Sequence, residues 1–161
     1  MSGGVDLKAR GERRLQIHGT CVSIEGVGVL IRGPSGAGKS DLALRLIDAG
    51  ASLVTDDLCE IRRDGERLIA DLPQSVDASF RGRIELRGIG FVSLPHAGPA
   101  TLGLVADLQP GLIPERLPAP ATAGYLGLEL PLVVLDPFQV SAAAKLRLVA
   151  LAGPASIMRA P

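Results

Sequence analysis

The chain has 161 residues, of which 47% are hydrophobic and only 2% aromatic, and its 17 basic and 17 acidic side chains balance to zero net charge. This length suits one domain with a sizeable core. The balanced charge argues against a partner held mainly through a phosphate backbone and gives no reason to expect membrane-surface binding, while the few aromatic residues argue against a stacking platform for RNA or single-stranded DNA.

The beginning of the chain is polar and lacks an apolar centre, so residues 1–14 are predicted to be a flexible tail without a secretory leader. Residues 15–161 are predicted to form one domain, because no linker or internal repeat divides them. No stretch approaches the ~20 apolar residues of a membrane-spanning helix. Cys21 and Cys59 are isolated, which favours reduced thiols. Together these features predict a cytoplasmic protein.

The first half of the chain alternates apolar and polar residues in a way typical of strands, with glycine-rich turns between them. One stretch instead repeats its apolar residues every three or four positions, which predicts a helix that Gly50 would cap. Asp64-Gly65 is a strong hairpin signal. The predicted elements are strands over 15–19, 21–24 and 29–31, a helix over 40–49, a strand over 53–55, and a hairpin of 58–62 with 66–70.

The second half is less regular. Its predicted elements are short strands over 83–86 and 91–94, a clearer strand over 101–107, a last buried strand over 130–135 and an Ala/Leu-rich helix over 141–151. Residues 110–124 carry four prolines and are predicted to be mostly irregular. The fold class expected is α/β leaning towards α+β, a single domain with a mixed sheet and few helices, poorer in helix than a doubly wound nucleotide fold.

The segment Gly33-Pro34-Ser35-Gly36-Ala37-Gly38-Lys39-Ser40 matches G-x-x-x-x-G-K-S in full, between a predicted strand and a predicted helix. Its glycines let backbone N–H groups turn inward around phosphate oxygens. Lys39 would supply a charge to the β- and γ-phosphates of a nucleoside triphosphate, and Ser40 a hydroxyl to Mg²⁺. The alternative is a glycine-rich turn that only joins strand to helix, which the complete motif disfavours.

Asp56 and Asp57 stand at the end of a short buried strand, seventeen and eighteen residues after Lys39. One short helix separates them from the loop, so we expect their strand to lie beside the strand that precedes the loop. One carboxylate could help to hold Mg²⁺ while the other takes the proton from an attacking hydroxyl, which favours a kinase. The alternative is a solvated acid pair at a strand end.

Three further residues are weak candidates on their own. His18 lies on a predicted strand, where a single histidine is more often structural. Glu85 lies in a charged segment flanked by glycines and could complete an oxygen shell around Mg²⁺, although an ordinary edge strand explains it as well. Arg116 lies in the proline-rich segment, and phosphoryl transfer often uses an arginine near the γ-phosphate.

Four segments together resemble the HPr kinase/phosphorylase family: His18-Gly19, residues 28–44, residues 53–57 and residues 84–90. The resemblance covers roughly residues 15–151, which is the family's catalytic domain only. It implies a fold like the nucleotide-binding domain of phosphoenolpyruvate carboxykinase. It also implies phosphorylation of a serine on HPr, the phosphocarrier protein of the sugar phosphotransferase system, with ATP as donor and Mg²⁺ as cofactor.

The resemblance also implies roles for individual residues. Asp57 would be the general base and Glu115-Arg116-Leu117 the segment with the catalytic arginine. The catalytic residues would be His18, Lys39, Asp57 and Arg116, the loop 33–40 would bind ATP, and Mg²⁺ would be held by Ser40 and Glu85 with Asp56 assisting.

Two departures from the family pattern bear on activity. Nothing in these residues resembles the family's usual N-terminal domain, so the chain is expected to be like the short α-proteobacterial form. A hexamer, which family members form, is expected by resemblance. The basic, Gly- and Asn-containing segment linked to phosphorolysis is replaced by Leu135-Asp136-Pro137-Phe138-Gln139-Val140. Because this segment has no basic residue and no glycine, weak or absent phosphorylase activity is expected.

Two other functions remain open from the sequence. A kinase of the same fold could act on another protein or on a small-molecule hydroxyl, since the loop and the acids handle the nucleotide rather than the acceptor. A non-catalytic nucleotide sensor would be expected to lack Lys39 or the acid pair, and both are present.

Overall fold

In residues 5–9 and 12–157, which the computed structural model of the chain describes, the backbone forms twelve strands and two α-helices. The strands are β1 (Val5–Ala9), β2 (Glu12–His18), β3 (Thr20–Ile24), β4 (Val27–Arg32), β5 (Ser52–Thr55), β6 (Leu58–Asp64), β7 (Arg67–Asp71), β8 (Arg83–Leu86), β9 (Gly90–Ser93), β10 (Ala100–Leu108), β11 (Ala121–Tyr125) and β12 (Leu128–Leu135). The helices are α1 (Lys39–Asp48) and α2 (Ala142–Ala152), with 3₁₀ turns at Ala78–Phe80 and Pro154–Ser156.

Ten of these strands form one mixed sheet, in which eight follow the order β1-β2-β6-β7-β10-β4-β3-β5 and β12 and β11 branch from β10. β12 runs parallel to β10 and carries β11 on its other side, and β10 runs parallel to β4. The remaining pairs are antiparallel, and β8 and β9 form a separate hairpin. The predicted fold class, a mixed sheet with few helices, is confirmed.

The sheet curls so that alternate residues of its central strands face two different cores. Val29 and Ile31 of β4 pack with the apolar face of α1 and with α2. Leu30 faces the opposite way and packs against the antiparallel strands, including Ile17 and Ile61. A strand that is covered on both faces is expected to have apolar residues on both sides. The run of apolar residues in β4 fits this expectation. The helices and the antiparallel strands therefore hold β4 rigidly between them.

The end of β5 reaches the same edge of the sheet as the end of β4. β3 pairs antiparallel with both strands, so β4 and β5 run in the same direction. The prediction that these two strands are neighbours is wrong, because the β3–β4 hairpin places β3 between them. The acid pair that follows β5 nevertheless arrives beside the loop that follows β4.

Other predictions differ from the structure at the ends of elements. A flexible tail was expected over residues 1–14. Residues 1–4, 10 and 11 lie outside the described residues, whereas β1 pairs with β2, which begins at Glu12. Residues 110–124 were expected to be mostly irregular, and residues 110–120 indeed form no helix or strand; only the end of the range belongs to Ala121–Tyr125, which pairs with β12 and buries Ala123 and Tyr125. Pro131 lies inside β12, opposite Thr122 of β11 and one residue before the ladder to β10 begins at Leu132.

Two further expectations concern thiols and membranes. Cys21 and Cys59 are both free and fully buried, in agreement with the predicted reduced state. Burial raises the pKa of the Cys59 thiol to about 12 and that of Cys21 well above its ordinary value. Within residues 5–9 and 12–157, neither helix has the length and apolar character that crossing a bilayer requires.

Candidate phosphate-binding site

The loop 33–40 leaves the edge of the sheet at the end of β4 and leads directly into α1. Its turn depends on left-handed glycines, with φ of 81° at Gly36 and 95° at Gly38. The Ala37 N–H donates to the Pro34 carbonyl at 3.0 Å, which closes the turn. Ala37 is buried, while the three residues before it are exposed. Ala37 therefore anchors the loop in the core, while the backbone of residues 34–36 stays accessible to a ligand.

The ammonium group of Lys39 lies across this loop. Its Nζ donates to the carbonyl of Gly33 at 2.7 Å and to that of Pro34 at 3.0 Å. Lys39 is also the first residue of α1, where the N–H groups at the helix start favour an anion. The ammonium group of Lys39 and the N-terminus of α1 therefore lie at the same loop, which is an arrangement that favours binding of a phosphate.

Asp56 connects the loop to the end of β5. Its carboxylate accepts a hydrogen bond from Ser40 Oγ at 2.9 Å and another from Thr20 Oγ1 at 2.8 Å. Thr20 is fully buried, so the carboxylate has a fixed orientation. These three side chains offer only oxygen atoms, which are the ligands that Mg²⁺ prefers.

No group of three or more His, Cys, Asp or Glu side chains able to hold a metal occurs in the part of the chain that the structure describes. This agrees with the usual way in which Mg²⁺ is bound, by one or two carboxylates together with waters and substrate phosphates. Ser40 and Asp56 therefore fit a cation that is completed by its nucleotide, and they do not fit a metal held by protein ligands alone.

Asp57 occupies a strained turn. Its φ is 68°, and the N–H of Leu58 donates to the carbonyl of Asp56 at 2.8 Å, which makes a γ-turn of the rare type with a positive φ. The Gly19 N–H donates to the Asp57 carbonyl at 3.0 Å and holds the turn against the start of β3. The carboxylate is exposed. Strain of this kind concentrates at functional positions, and here the strained residue presents an exposed carboxylate beside the loop.

His18 lies at the end of β2, opposite Leu58 in the ladder to β6. Since Leu58 directly follows Asp57, the histidine and the acid pair stand at adjacent strand ends. His18 is exposed, like Asp57. The structure therefore brings His18, Asp56 and Asp57 to one end of the β2–β6 pair.

Glu85 and Arg116 are placed differently. Glu85 lies exposed on β8, opposite Phe91 of β9, and Arg116 lies exposed between β10 and β11. Among the described residues, neither side chain makes a hydrogen bond or ion pair with the loop or the acid pair. The β8–β9 hairpin is nevertheless tied to the site, because the Leu53 N–H in β5 donates to the Pro95 carbonyl at 2.9 Å and Ile84 is buried in the helix-side core.

Sequence reasoning missed two features of this edge. Thr20 was not a candidate, and its only signal is its position directly after His18-Gly19. The second feature is a cluster under the loop, in which Arg32 donates to both Asp107 oxygens at 2.6 and 2.8 Å and to the Tyr125 hydroxyl at 2.7 Å. The hydrogen bonds that Arg32 donates to Asp107 raise the pKa of Arg32, and burial raises the pKa of Tyr125. This cluster joins β4, β10 and β11 directly before Gly33.

The family model for the HPr Serine kinase C-terminal domain matches residues 11–97, which include the loop, the acid pair and Glu85 but not Arg116. The HPr kinase/phosphorylase of Chlorobium limicola is 36% identical over 137 residues, covering 76% of this chain and 40% of the relative. That of Exiguobacterium sp. is 46% identical over 78 residues, covering 48% of this chain and 24% of the relative.

A solved structure of the Hpr(Ser) kinase/phosphatase from Coxiella burnetii superimposes with a TM-score of 0.74 at 25% identity, covering 87% of this chain and 96% of that chain. The likeness thus extends beyond the residues that the family model matches. The chain spans less than half the length of the two curated relatives described above.

Proposed function

Since the chain belongs to the family of the HPr Serine kinase C-terminal domain, we propose that it is an ATP- and Mg²⁺-dependent kinase that phosphorylates a serine of the phosphocarrier protein HPr. The observation that carries the proposal is the complete loop 33–40 with Ser40 hydrogen-bonded to Asp56. This arrangement supplies both a phosphate cradle and a carboxylate beside it. By phosphorylating a phosphocarrier, the enzyme would regulate the phosphotransferase system.

The nucleotide would be held by backbone N–H groups of the loop and by Lys39. Lys39 already bridges two loop carbonyls, so it needs only a side-chain rotation to exchange them for phosphate oxygens. Ser40 and Asp56, with Glu85 completing the set, would hold Mg²⁺, which when bound neutralises charge on the phosphates. Thr20 would keep the Asp56 carboxylate in place for this role.

Asp57 would accept the proton of the attacking serine hydroxyl. Its carboxylate is exposed and stands beside the loop, so an incoming protein can reach it. His18, at the adjacent strand end, would contact the acceptor or the transferred group. Arg116 would approach the phosphoryl group from the segment between β10 and β11, which requires that segment to move on substrate binding.

Phosphorylase activity would be weak or absent. The segment 135–140 that follows β12 contains no basic residue to hold the inorganic phosphate that phosphorolysis consumes. Incubation of phospho-HPr with the chain and inorganic phosphate tests this directly. Slow or undetectable pyrophosphate release is expected, and rapid release would overturn the proposal of a one-directional enzyme.

The chain would also assemble with copies of itself, as a hexamer by resemblance to the family. Sedimentation velocity gives the assembly state, and a monomer at all concentrations would contradict this part of the proposal.

The test of the kinase itself is transfer of label from γ-labelled ATP to purified HPr in the presence of Mg²⁺. An HPr variant with its acceptor serine replaced by alanine is the matched control. We expect label on wild-type HPr and none on the control. Label on neither protein, under conditions where ATP binds, would make HPr the wrong acceptor and turn the search to other proteins and small hydroxyl compounds.

A further inference from the structure

Phe138 is an exposed aromatic ring beside the phosphate loop. Its side chain is 60% exposed, although the residue before it is buried. A Cβ atom built on Gly38 would lie 3.2 Å from both Cε1 and Cζ of the ring and 3.3 Å from Cγ of Pro137. One edge of the ring therefore rests against the loop at the residue before Lys39, while the rest of the ring faces solvent.

The ring is held in this position by its own segment and by α1. The Phe138 N–H donates to an Asp136 carboxylate oxygen at 2.9 Å, which fixes the turn after β12. The guanidinium group of Arg45 in α1 donates to the Pro137 carbonyl and also to Asp41 at 3.1 Å. An exposed apolar side chain that the fold orders in this way differs from the isolated surface hydrophobe that needs no explanation.

The order of the strands indicates what would cover the ring. β3 and then β5, with the acid pair, lie on one side of β4, and β10 and then β12, with Phe138, lie on the other. On the proposed function, a triphosphate would lie along the loop with its γ-phosphate towards Asp56 and Asp57, where the metal and the base would act. Its nucleoside end would then point towards the end of β12.

We propose that Phe138 forms the surface on which the purine base of the bound nucleotide packs. This inference rests on the proposed function, and it names the part of the site that recognises the base and not the phosphates. A single ring suits a single base, and every base offers a π-face to such a ring. Gly38 lets the edge of the ring lie close to the loop, since a Cβ at this position would lie 3.2 Å from the ring.

Titration calorimetry with ATP and with tripolyphosphate, each with Mg²⁺, separates the base from the phosphates. Phe138→Ala should weaken ATP binding about tenfold, the scale of one base–aromatic stack, and leave tripolyphosphate binding unchanged. Val140→Ala removes another fully exposed apolar side chain of the same segment and should change neither. Equal weakening of both ligands by Phe138→Ala, or unchanged ATP binding, would overturn the inference. Unchanged tripolyphosphate binding also shows that the variant is folded.

A fluorescent variant gives a second measurement. The chain has no tryptophan, so Phe138→Trp introduces a single reporter ring at the proposed contact. ATP should change its fluorescence strongly and tripolyphosphate should change it little, whereas no response to bound ATP would contradict the inference. If the wild-type chain bound ATP and tripolyphosphate equally well, the result would support the phosphate site and contradict the base contact. If it bound neither, the proposed function would fall and this inference with it.

Discussion

The two halves of the candidate site are built in different ways. Around the loop, side chains from α1, β3 and the end of β5 are joined by hydrogen bonds of 2.8 to 2.9 Å that converge on Asp56. Glu85 and Arg116, in contrast, lie exposed on a separate hairpin and on an irregular segment. On the proposed function, the phosphate-binding half is held by hydrogen bonds within the fold, whereas the catalytic set would be completed by segments that close on the substrate.

The largest effect is expected at the boundary between the two halves, at Asp57. Asp57→Asn keeps the left-handed turn, because asparagine tolerates a positive φ, and removes the base. We expect kcat to fall by about 10² to 10⁴ with ATP affinity nearly unchanged. Asp48→Asn, at an exposed position of α1, is the control. Near-normal turnover of the Asp57 variant would exclude it as the base.

Arg116 tests whether the exposed half acts only during catalysis. Arg116→Ala should lower kcat and kcat/KM equally, by about 10²-fold, since the lost donor would act only in the transition state. Arg67→Ala, which truncates an arginine with 62% of its side chain exposed, should have no effect. Steady-state kinetics with HPr as acceptor decides the matter. A rise in the KM for ATP at constant kcat would place Arg116 in nucleotide binding instead.

Thr20 tests the rigidity of the assembled half. Thr20→Val keeps the shape of the side chain but leaves Asp56 without one donor, so unfolding in urea should show a loss of about 1–3 kcal/mol. The Mg²⁺ concentration needed for activity should also rise, because the Asp56 carboxylate is no longer held. Thr122→Val, at an exposed position of β11, is the matched control. A Thr20 variant with unchanged stability and unchanged Mg²⁺ dependence would show that the carboxylate needs no second donor.

The smallest effect on activity concerns the core under the assembled half, which changes stability instead. The thiols of Cys21 and Cys59 stay protonated in the folded chain well above pH 9, whereas in the unfolded chain they ionise near pH 9.0. The unfolded state therefore binds fewer protons between about pH 9 and 12, and the free energy of unfolding falls as pH rises through this range. Urea unfolding at several pH values measures the fall. It should be smaller in the variant that carries both Cys21→Ala and Cys59→Ala, and an identical fall would assign the effect to other groups.

Local features of the site were predictable from the sequence, and long-range ones were not. The strand, loop and helix around Lys39 follow from short-range periodicity and glycine placement, and the structure has them there. The position of β3 between β4 and β5 was not predictable, because nothing local tells which edge a hairpin occupies. Thr20 was missed for the same reason, since its partner Asp56 is thirty-six residues away.

Two further misses have local causes. Prolines at 114, 118 and 120 concealed the strand that begins at Ala121, because proline lowers strand propensity without preventing a strand nearby. Phe138 was noted only as a departure from a family pattern, and its contact with Gly38 depends on how the end of β12 meets α1. The roles of the site residues stay predictions until they are measured.

The most direct test of the central claim, that the loop 33–40 binds the phosphates of ATP, is titration calorimetry of the wild-type chain and of Lys39→Ala with ATP and Mg²⁺. Lys145→Ala, at an exposed position of α2, controls for loss of a positive charge. We predict that wild type and the Lys145 variant bind ATP equally and that Lys39→Ala binds at least about tenfold more weakly, as expected for a lost charge-assisted hydrogen bond. Equal ATP affinity in all three proteins, or no binding by the wild type, would contradict the account.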